Sequence, residues 1–220
     1  MVKACLRIFA IIGFAVVNHI AIATAEPVRG VALGDSLTAG YLLAPGEDYP
    51  AQLQAALGAA GYAVDLANAG VSGDTTSGGL ERLDWSIPDG TDFVLLELGA
   101  NDALRGISPD ITRDNLDRMI ERLQARDIDV VLIGMLAPPN LDDTYAAAFN
   151  PIYGDLAEKH GVPLYPFFLD GVIGDSSKLL ADGIHPNNAG VAVMVDRTLP
   201  LVSRYLDSRS GGSGSALANE

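Results

Sequence analysis

Three side chains of this 220-residue chain have the types and the spacing that nucleophilic acyl transfer requires. Ser36 lies in the segment Gly-Asp-Ser-Leu-Thr-Ala-Gly of residues 34–40, and Asp182 and His185 lie in Asp-Gly-Ile-His-Pro of residues 182–186. A serine hydroxyl is a weak nucleophile until a base takes its proton. An aspartate three residues before a histidine in a turn can accept a hydrogen bond from one imidazole nitrogen and leave the other free. The pattern predicts Ser36 as nucleophile, His185 as base and Asp182 as the residue that orients the histidine.

The other two histidines are weaker candidates for the base. His19 lies in a leader-like N-terminal segment, and His160 precedes Gly161 at the end of a predicted helix, where a polar or positive side chain is favoured. We therefore interpret His160 as structural. Each short motif also has a plain alternative, since residues 34–40 could form a helix cap or a phosphate-binding loop and Asp182 could simply form a turn.

Two further loops carry groups that could stabilise a tetrahedral intermediate. Gly73 lies in Ser-Gly-Asp-Thr of residues 72–75, and Asn101 lies in Gly-Ala-Asn-Asp of residues 99–102. The backbone N–H groups of Ser36 and Gly73 and the side-chain amide of Asn101 are the predicted oxyanion donors. Both loops are also good turns and helix caps when each is taken alone. Their occurrence together with the serine and histidine motifs favours one active site.

The elements that must position these residues alternate between short apolar runs and longer segments of helical period. This alternation is typical of a parallel sheet with helices on both faces. The predicted strands are residues 28–33, 63–66, 93–98, 130–135 and 162–166. The predicted helices are residues 49–60, 75–83, 111–126, 143–160 and 188–205. Ligands bind at the carboxyl ends of such strands, and Ser36, Gly73 and Asn101 each follow one.

The first 25 residues have the features of a secretion signal. Lys3 and Arg7 precede an apolar run over residues 8–17, and Ala-Thr-Ala at residues 23–25 predicts cleavage after Ala25. A retained membrane anchor is the alternative, although residues 18 and 19 interrupt the run short of the roughly 20 residues that a spanning helix needs. We expect a periplasmic or secreted protein.

The rest of the chain is predicted to form one domain over residues 26–207, followed by a flexible tail over residues 208–220 rich in Ser and Gly. The single cysteine, Cys5, lies in the leader, which excludes cysteine chemistry and disulfides in the mature chain. With 12 basic against 28 acidic side chains after the leader, the formal charge is −16, which makes nucleic acid a poor partner. We also expect no stable insertion of the mature chain into a membrane.

Taken in order, these motifs resemble the four blocks of the SGNH hydrolase superfamily in its GDSL esterase branch. Residues 34–37, Gly73, residues 99–102 and residues 182–186 match the blocks, and the flanking residues are similar to the bacterial multifunctional acyl-CoA thioesterase I, lysophospholipase L1 and arylesterase group. The resemblance implies a flavodoxin-like three-layer α/β/α sandwich with a five-stranded parallel sheet. It implies attack by Ser36 on an ester or thioester, an acyl-enzyme, and hydrolysis without metal or organic cofactor.

The acyl group needs an apolar groove beside Ser36, and the loops after the third and fourth strands are placed to form it. Leu104 and Leu141 are the candidate wall residues. Short to medium acyl esters, aryl esters, thioesters and lysophospholipids all stay open as substrates. One alternative is a carbohydrate O-acetylesterase or acyltransferase that uses the same triad. Another is a non-catalytic anion-binding domain, which the many carboxylates in these loops disfavour.

Overall fold

The protein is built on a five-stranded, all-parallel sheet. A computed structural model describes residues 26–215, with side chains as far as residue 210. The strands are β1 (Val28–Gly34), β2 (Val64–Gly70), β3 (Phe93–Glu97), β4 (Asp129–Ile133) and β5 (Leu164–Tyr165), in the order β2-β1-β3-β4-β5. Every residue of β3 is buried, as expected for an apolar strand covered on both faces. The predicted α/β class and five parallel strands are confirmed.

Nine helices surround the sheet within residues 26–215. They are α1 (Ser36–Ala39), α2 (Tyr49–Ala59), α3 (Thr76–Glu81), α4 (Leu83–Ser86), α5 (Ala100–Leu104), α6 (Pro109–Gln124), α7 (Asp143–Phe149), α8 (Ile152–His160) and α9 (Asn188–Ser215). Helix α2 packs against α9, whereas α6 packs against α3 and α8, so the helices form two layers with the sheet between them. No helix in this described part of the chain is both long and apolar enough to cross a membrane.

Two predicted helices are each divided in the structure. The segment 143–160 forms α7 and α8 because Pro151 lacks the N–H that would continue the helix. The Asn150 side chain at the break instead accepts a hydrogen bond from Ala137 N, at 2.8 Å. The segment 75–83 contains α3, and its last residue, Leu83, begins the separate helix α4. The two helices meet at Arg82, whose side chain bonds to backbone carbonyls at the ends of β1 and β2.

The last helix runs further than the sequence predicts. Helix α9 ends at Ser215 and not at Tyr205, so the segment predicted to be a flexible tail from Ser208 begins as helix. The helix is anchored where it passes beyond Tyr205, because the Arg209 guanidinium pairs with the carboxylates of Asp92 and Asp129. The predicted signal, residues 1–25, lies outside the described residues.

The order of the strands creates a crevice where the chain changes direction across the sheet. Strand β1 pairs with β2 on one side and with β3 on the other. The connection after β1 leads to β2 on one side, whereas the connection after β3 leads to β4 on the opposite side. The carboxyl ends at such a switch point are the usual ligand position in an open α/β sheet. Ser36 follows β1 and Asn101 follows β3, which places both at this crevice.

Candidate active site

The turn that presents Ser36 is held by close packing and by a helix cap. Strand β1 ends at Gly34, where a Cβ would lie 2.1 Å from Thr38 Oγ1, so only glycine fits. The Asp35 side chain caps α1 by accepting a hydrogen bond from Leu37 N at 2.9 Å. Ser36 is the first helical residue, so its own N–H has no acceptor within the helix and can face a ligand.

Ser36, His185 and Asp182 form a continuous chain of hydrogen-bonding contacts. The Nε2 atom of His185 lies 2.9 Å from Ser36 Oγ, and its Nδ1 atom lies 2.7 Å from Asp182 Oδ2. With Nδ1 protonated and donating to the carboxylate, Nε2 is free to accept the serine proton. The structure brings together the three residues that the sequence motifs predicted as nucleophile, base and orienting residue.

The loop before α9 fixes the histidine. Asp182 Oδ1 accepts hydrogen bonds from the backbone N–H groups of Ile184, at 2.9 Å, and His185, at 3.0 Å. These two bonds, together with the imidazole, lower the pKa of Asp182 to about 2, so its carboxylate is ionised at neutral pH. Asn187 binds the loop to its surroundings by donating to the carbonyls of Ser177 and Leu179.

The predicted oxyanion donors are arranged around the serine turn by two hydrogen bonds. Asn101 Nδ2 donates to Asp35 Oδ2 at 3.0 Å, which fixes the amide and leaves its second hydrogen available. Gly73 has a φ of +83°, and its carbonyl accepts a hydrogen bond from Arg105 Nη2 at 2.7 Å. Within the described residues the Gly73 N–H has no acceptor. Each predicted donor therefore keeps an N–H that an oxyanion could use.

The Asp35 carboxylate that orients Asn101 is itself fully buried. Burial is the main cause that raises its pKa, to about 6, while the hydrogen bonds from Leu37 N and Asn101 act in the opposite direction. His185 also lowers this pKa and Asp74 raises it. The carboxylate thus costs free energy in the folded state, and the two donors offset only part of that cost.

A buried guanidinium joins the carboxyl ends of β1 and β2. Arg82 donates to the Gly34 carbonyl at 3.0 Å and to the Ala69 carbonyl at 2.8 Å. Its Nε donates to Asp74 Oδ2 at 2.7 Å, and both side chains of this ion pair are close to 90% buried. Because Gly34 precedes the serine turn and Asp74 follows Gly73, Arg82 connects the loop of Ser36 to the loop of Gly73.

Sequence reasoning missed Tyr41, Asp35 and Arg82 as parts of this site. The ring of Tyr41 lies against the imidazole of His185, with centroids 4.5 Å apart. A tyrosine one residue after the Gly of the serine motif was the only available signal for this contact. Asp35 stood inside the motif, but its hydrogen bond to Asn101 spans 66 residues and has no local signature.

The loops of the predicted substrate groove are joined to each other. Leu104, at the end of α5, is 55% exposed, and Leu141 is partly buried in the loop after β4. The Tyr145 hydroxyl donates to the Ile107 carbonyl at 2.8 Å, which connects the loop after α5 to the start of α7. The two predicted walls are therefore neighbours in the fold.

His160 lies elsewhere, at the end of α8. Its Nε2 atom is 2.5 Å from Asp117 Oδ1 on α6, and with Glu121 these side chains are close enough to one another to resemble a set of metal ligands. The Lys159 ammonium group, however, already lies 2.6 Å from Asp117 Oδ2 and 3.4 Å from Glu121 Oε1. This cluster packs two helices together and does not contribute to the serine site.

Comparison with known proteins agrees with the geometry. Residues 32–193 match the model of the GDSL-like lipase/acylhydrolase family. An arylesterase of Vibrio mimicus is 43% identical over 155 residues, which cover 70% of this chain and 78% of that protein. Esterase TesA of Pseudomonas aeruginosa is 37% identical over 175 residues, covering 79% of this chain and 87% of the relative.

A solved structure shares the architecture as well. The crystal structure of AlinE4, an SGNH-hydrolase family esterase, superposes with a TM-score of 0.70 at 44% identity, covering 84% of this chain and 99% of AlinE4. The family resemblance predicted from the four motifs is thus confirmed by independent comparisons of sequence and of structure. The chain belongs to the GDSL-like lipase/acylhydrolase family of SGNH hydrolases.

Proposed function

We propose that the protein is a serine esterase that cleaves carboxylic ester bonds, and thioester bonds of similar acyl groups, through an acyl-enzyme on Ser36. The observation that carries this proposal is the unbroken contact from Asp182 through His185 to Ser36 Oγ. Such an arrangement activates a hydroxyl without a metal. Family membership and relatives named arylesterase and esterase support the same reaction.

The first half of the reaction forms the acyl-enzyme. Ser36 Oγ attacks the acyl carbonyl carbon while its proton passes to His185 Nε2, and Asp182 stabilises the resulting imidazolium. Hydrogen bonds from the backbone N–H groups of Ser36 and Gly73 and from the side-chain amide of Asn101 stabilise the negative charge on the former carbonyl oxygen. The leaving alcohol or thiol then takes the proton from Nε2 as its bond to the acyl carbon breaks.

The second half repeats the same steps with water. Water gives a proton to His185 Nε2 and attacks the acyl carbon, and collapse of the second intermediate returns the proton to Ser36 Oγ. Because His185 acts as base and then as acid in each half, its orientation by Asp182 matters twice per turnover.

The proposed substrates are esters of short to medium acyl chains or aryl groups. The proposal includes lysophospholipids. Leu104 and Leu141 are the proposed apolar wall residues, and Tyr41 covers the histidine with an aromatic face. A relative from Escherichia coli carries the name thioesterase 1/protease 1/lysophospholipase L1, which supports thioester and lysophospholipid substrates. The test is to replace each leucine by Ala and measure chain-length preference on a series of p-nitrophenyl esters; an unchanged preference would remove both residues from the groove.

We also propose that the protein is exported and that residues 1–25 are removed. The charged, apolar and small-residue segments of the N-terminus support this. Export would separate the enzyme from cytosolic acyl-CoA and favour lipid or exogenous esters as substrates. Sequencing the N-terminus of protein purified from the producing cells tests the proposal, and a chain that still begins at Met1 would contradict it.

Covalent labelling by a fluorophosphonate tests the reaction itself. The wild type should be labelled at Ser36, and Ser36→Ala should lose both the label and hydrolysis of p-nitrophenyl butyrate. Ser177→Ala is a matched control, because Ser177 lies in the turn at residues 176–178 and bonds to Asp175. An unlabelled wild type would overturn the proposal.

A further inference from the structure

Glu97 is a buried carboxyl group beneath the nucleophile turn that the proposed reaction does not use. It ends strand β3 and is 2% exposed. Its Oε2 atom accepts hydrogen bonds from Thr38 Oγ1, at 2.8 Å, and from Asp35 N, at 3.3 Å. These two residues flank Ser36 on either side in the sequence, so one carboxyl oxygen holds both ends of the segment that presents the nucleophile.

The second oxygen of Glu97 has no partner. Oε1 is buried and, within the described residues, receives no hydrogen bond. An ionised carboxylate would leave half of its charge on this unsatisfied atom, which is costly in an apolar interior. A carboxylic acid removes the charge, and a proton on Oε2 can be donated to Thr38 Oγ1, which leaves Oε1 as a neutral carbonyl oxygen. The geometry therefore favours the neutral form.

The titratable groups around Glu97 include a carboxyl group and two phenol groups. The Asp35 carboxyl is its neighbour, and the buried hydroxyls of Tyr49 and Tyr153 approach from α2 and α8. The nearby guanidinium of Arg82 bonds to the Gly34 carbonyl and to Asp74, and none of its hydrogen bonds reaches Glu97. Burial, with the Asp35 charge second, raises the pKa of Glu97 well above its ordinary value, and the hydrogen bonds from Thr38 and Asp35 N offset only part of this effect.

We propose that Glu97 is a positioning residue for Ser36 and that it works as a neutral carboxylic acid, hydrogen-bonded to the backbone of Asp35 and the hydroxyl of Thr38. This inference rests on the proposed function of Ser36 as nucleophile. The carboxyl group keeps its proton throughout turnover and touches no reacting atom. Its bond to the Thr38 hydroxyl can form in either direction, because both groups then carry a proton and an acceptor lone pair.

Two substitutions at Glu97 separate a neutral anchor from an ionised one. Glu97→Gln keeps a neutral oxygen for both hydrogen bonds, so kcat should stay within about threefold of the wild type, with an unchanged pH profile. Glu97→Leu removes the acceptor and releases the turn, so kcat should fall about 10- to 100-fold while KM stays the same, since displacement of a reacting group by about 1 Å has effects of this size. The proposal is wrong if Glu97→Gln loses as much activity as Glu97→Leu. It is also wrong if the kcat of Glu97→Gln no longer falls on one side of the pH optimum where that of the wild type does.

A third variant keeps the test valid if Glu97→Leu does not fold. Thr38→Val removes one of the two hydrogen bonds with little change in volume and should lower kcat without changing KM. Thr198→Val is its control, because Thr198 is also a fully buried threonine but lies in α9 and bonds to Tyr49. Equal kcat values for the two threonine variants would overturn the positioning role.

Labelling and infrared spectroscopy separate failure of this inference from failure of the proposed function. If the wild type is not labelled by a fluorophosphonate, the proposed function fails. If the wild type and the folded Thr38→Val are labelled at the same rate, only the positioning role fails. An infrared difference spectrum between the wild type and Glu97→Gln should show a protonated carboxyl band at neutral pH, and a carboxylate band alone would show that Glu97 is ionised.

Discussion

Replacement of Asp35 by Asn should change how the stability of the protein depends on pH. Asp35 is fully buried and its pKa is raised from 3.8 to about 6. A folded-state pKa above the unfolded value means that the native state holds the proton more tightly. Stability from this group is therefore present at low pH and is lost as pH rises from about 4 to about 6. The difference between a pKa of 3.8 and a pKa of about 6, at about 1.4 kcal/mol for each tenfold change in proton affinity, gives a loss of about 3 kcal/mol.

The assay is urea unfolding of the wild type and of Asp35→Asn at a series of pH values. The asparagine cannot ionise, so the free energy of unfolding of the wild type should fall by about 3 kcal/mol relative to the variant between pH about 4 and pH about 7, and then level off. Glu97 is present in both proteins and the Asp35 charge raises its pKa, so the difference belongs to the pair. Asp65→Asn on the exposed edge of β2 is the control and should give curves parallel to those of the wild type.

Parallel curves for the wild type and Asp35→Asn would refute the reasoning, as would a wild type that gains stability relative to the variant over this range.

The same variant should lose activity. The amide introduced by Asp35→Asn can accept through one atom only, so it cannot receive hydrogen bonds from both Leu37 N and the Asn101 amide as the carboxylate does.

Three further substitutions test the rest of the site. Asn101→Ala should lower kcat about 10²- to 10³-fold while the fold is kept, and near-normal turnover would remove its amide from the oxyanion hole. Asp182→Asn should lower kcat by about 10⁴-fold throughout the neutral range, because a carboxylate with a pKa of about 2 is ionised at all of these pH values. A loss of kcat on only one side of the pH optimum would contradict this. Arg82→Met should cost about 3–5 kcal/mol of unfolding free energy, because it leaves Asp74 buried without its partner. Arg122→Met, at an exposed ion pair, should cost less than about 1 kcal/mol. Equal losses in urea unfolding would argue against a stabilising role of the buried Arg82–Asp74 pair.

The sequence predicts the fold and the contact between Asp182 and His185 because both depend on short-range patterns. Fully buried parallel strands are continuous apolar runs, and β3 reads as Phe-Val-Leu-Leu-Glu with every residue buried. Asp182 and His185 are three residues apart, so a single turn determines their contact. The placement of Ser36 opposite them follows once both loops are assigned to the carboxyl edge of the sheet.

The features that could not be predicted depend on contacts between distant segments. The packing of Tyr41 on His185 joins distant segments, and the neighbouring Leu42 has a positive φ of 58°, a conformation for which leucine gives no signal. The role of Arg82 depends on two backbone carbonyls in different strands. Burial of Asp35 is a property of the assembled layers and has no counterpart in a local motif.

The path of helix α9 has a practical consequence for use of the enzyme on a solid support. The helix begins at Asn188, directly after the loop that carries His185, and its Arg209 pairs with Asp92 and Asp129 at the amino ends of β3 and β4. It therefore spans the molecule from the catalytic edge to the opposite one. Immobilisation through a handle placed after Ser215 should orient the crevice towards the medium and leave access for bulky esters unobstructed.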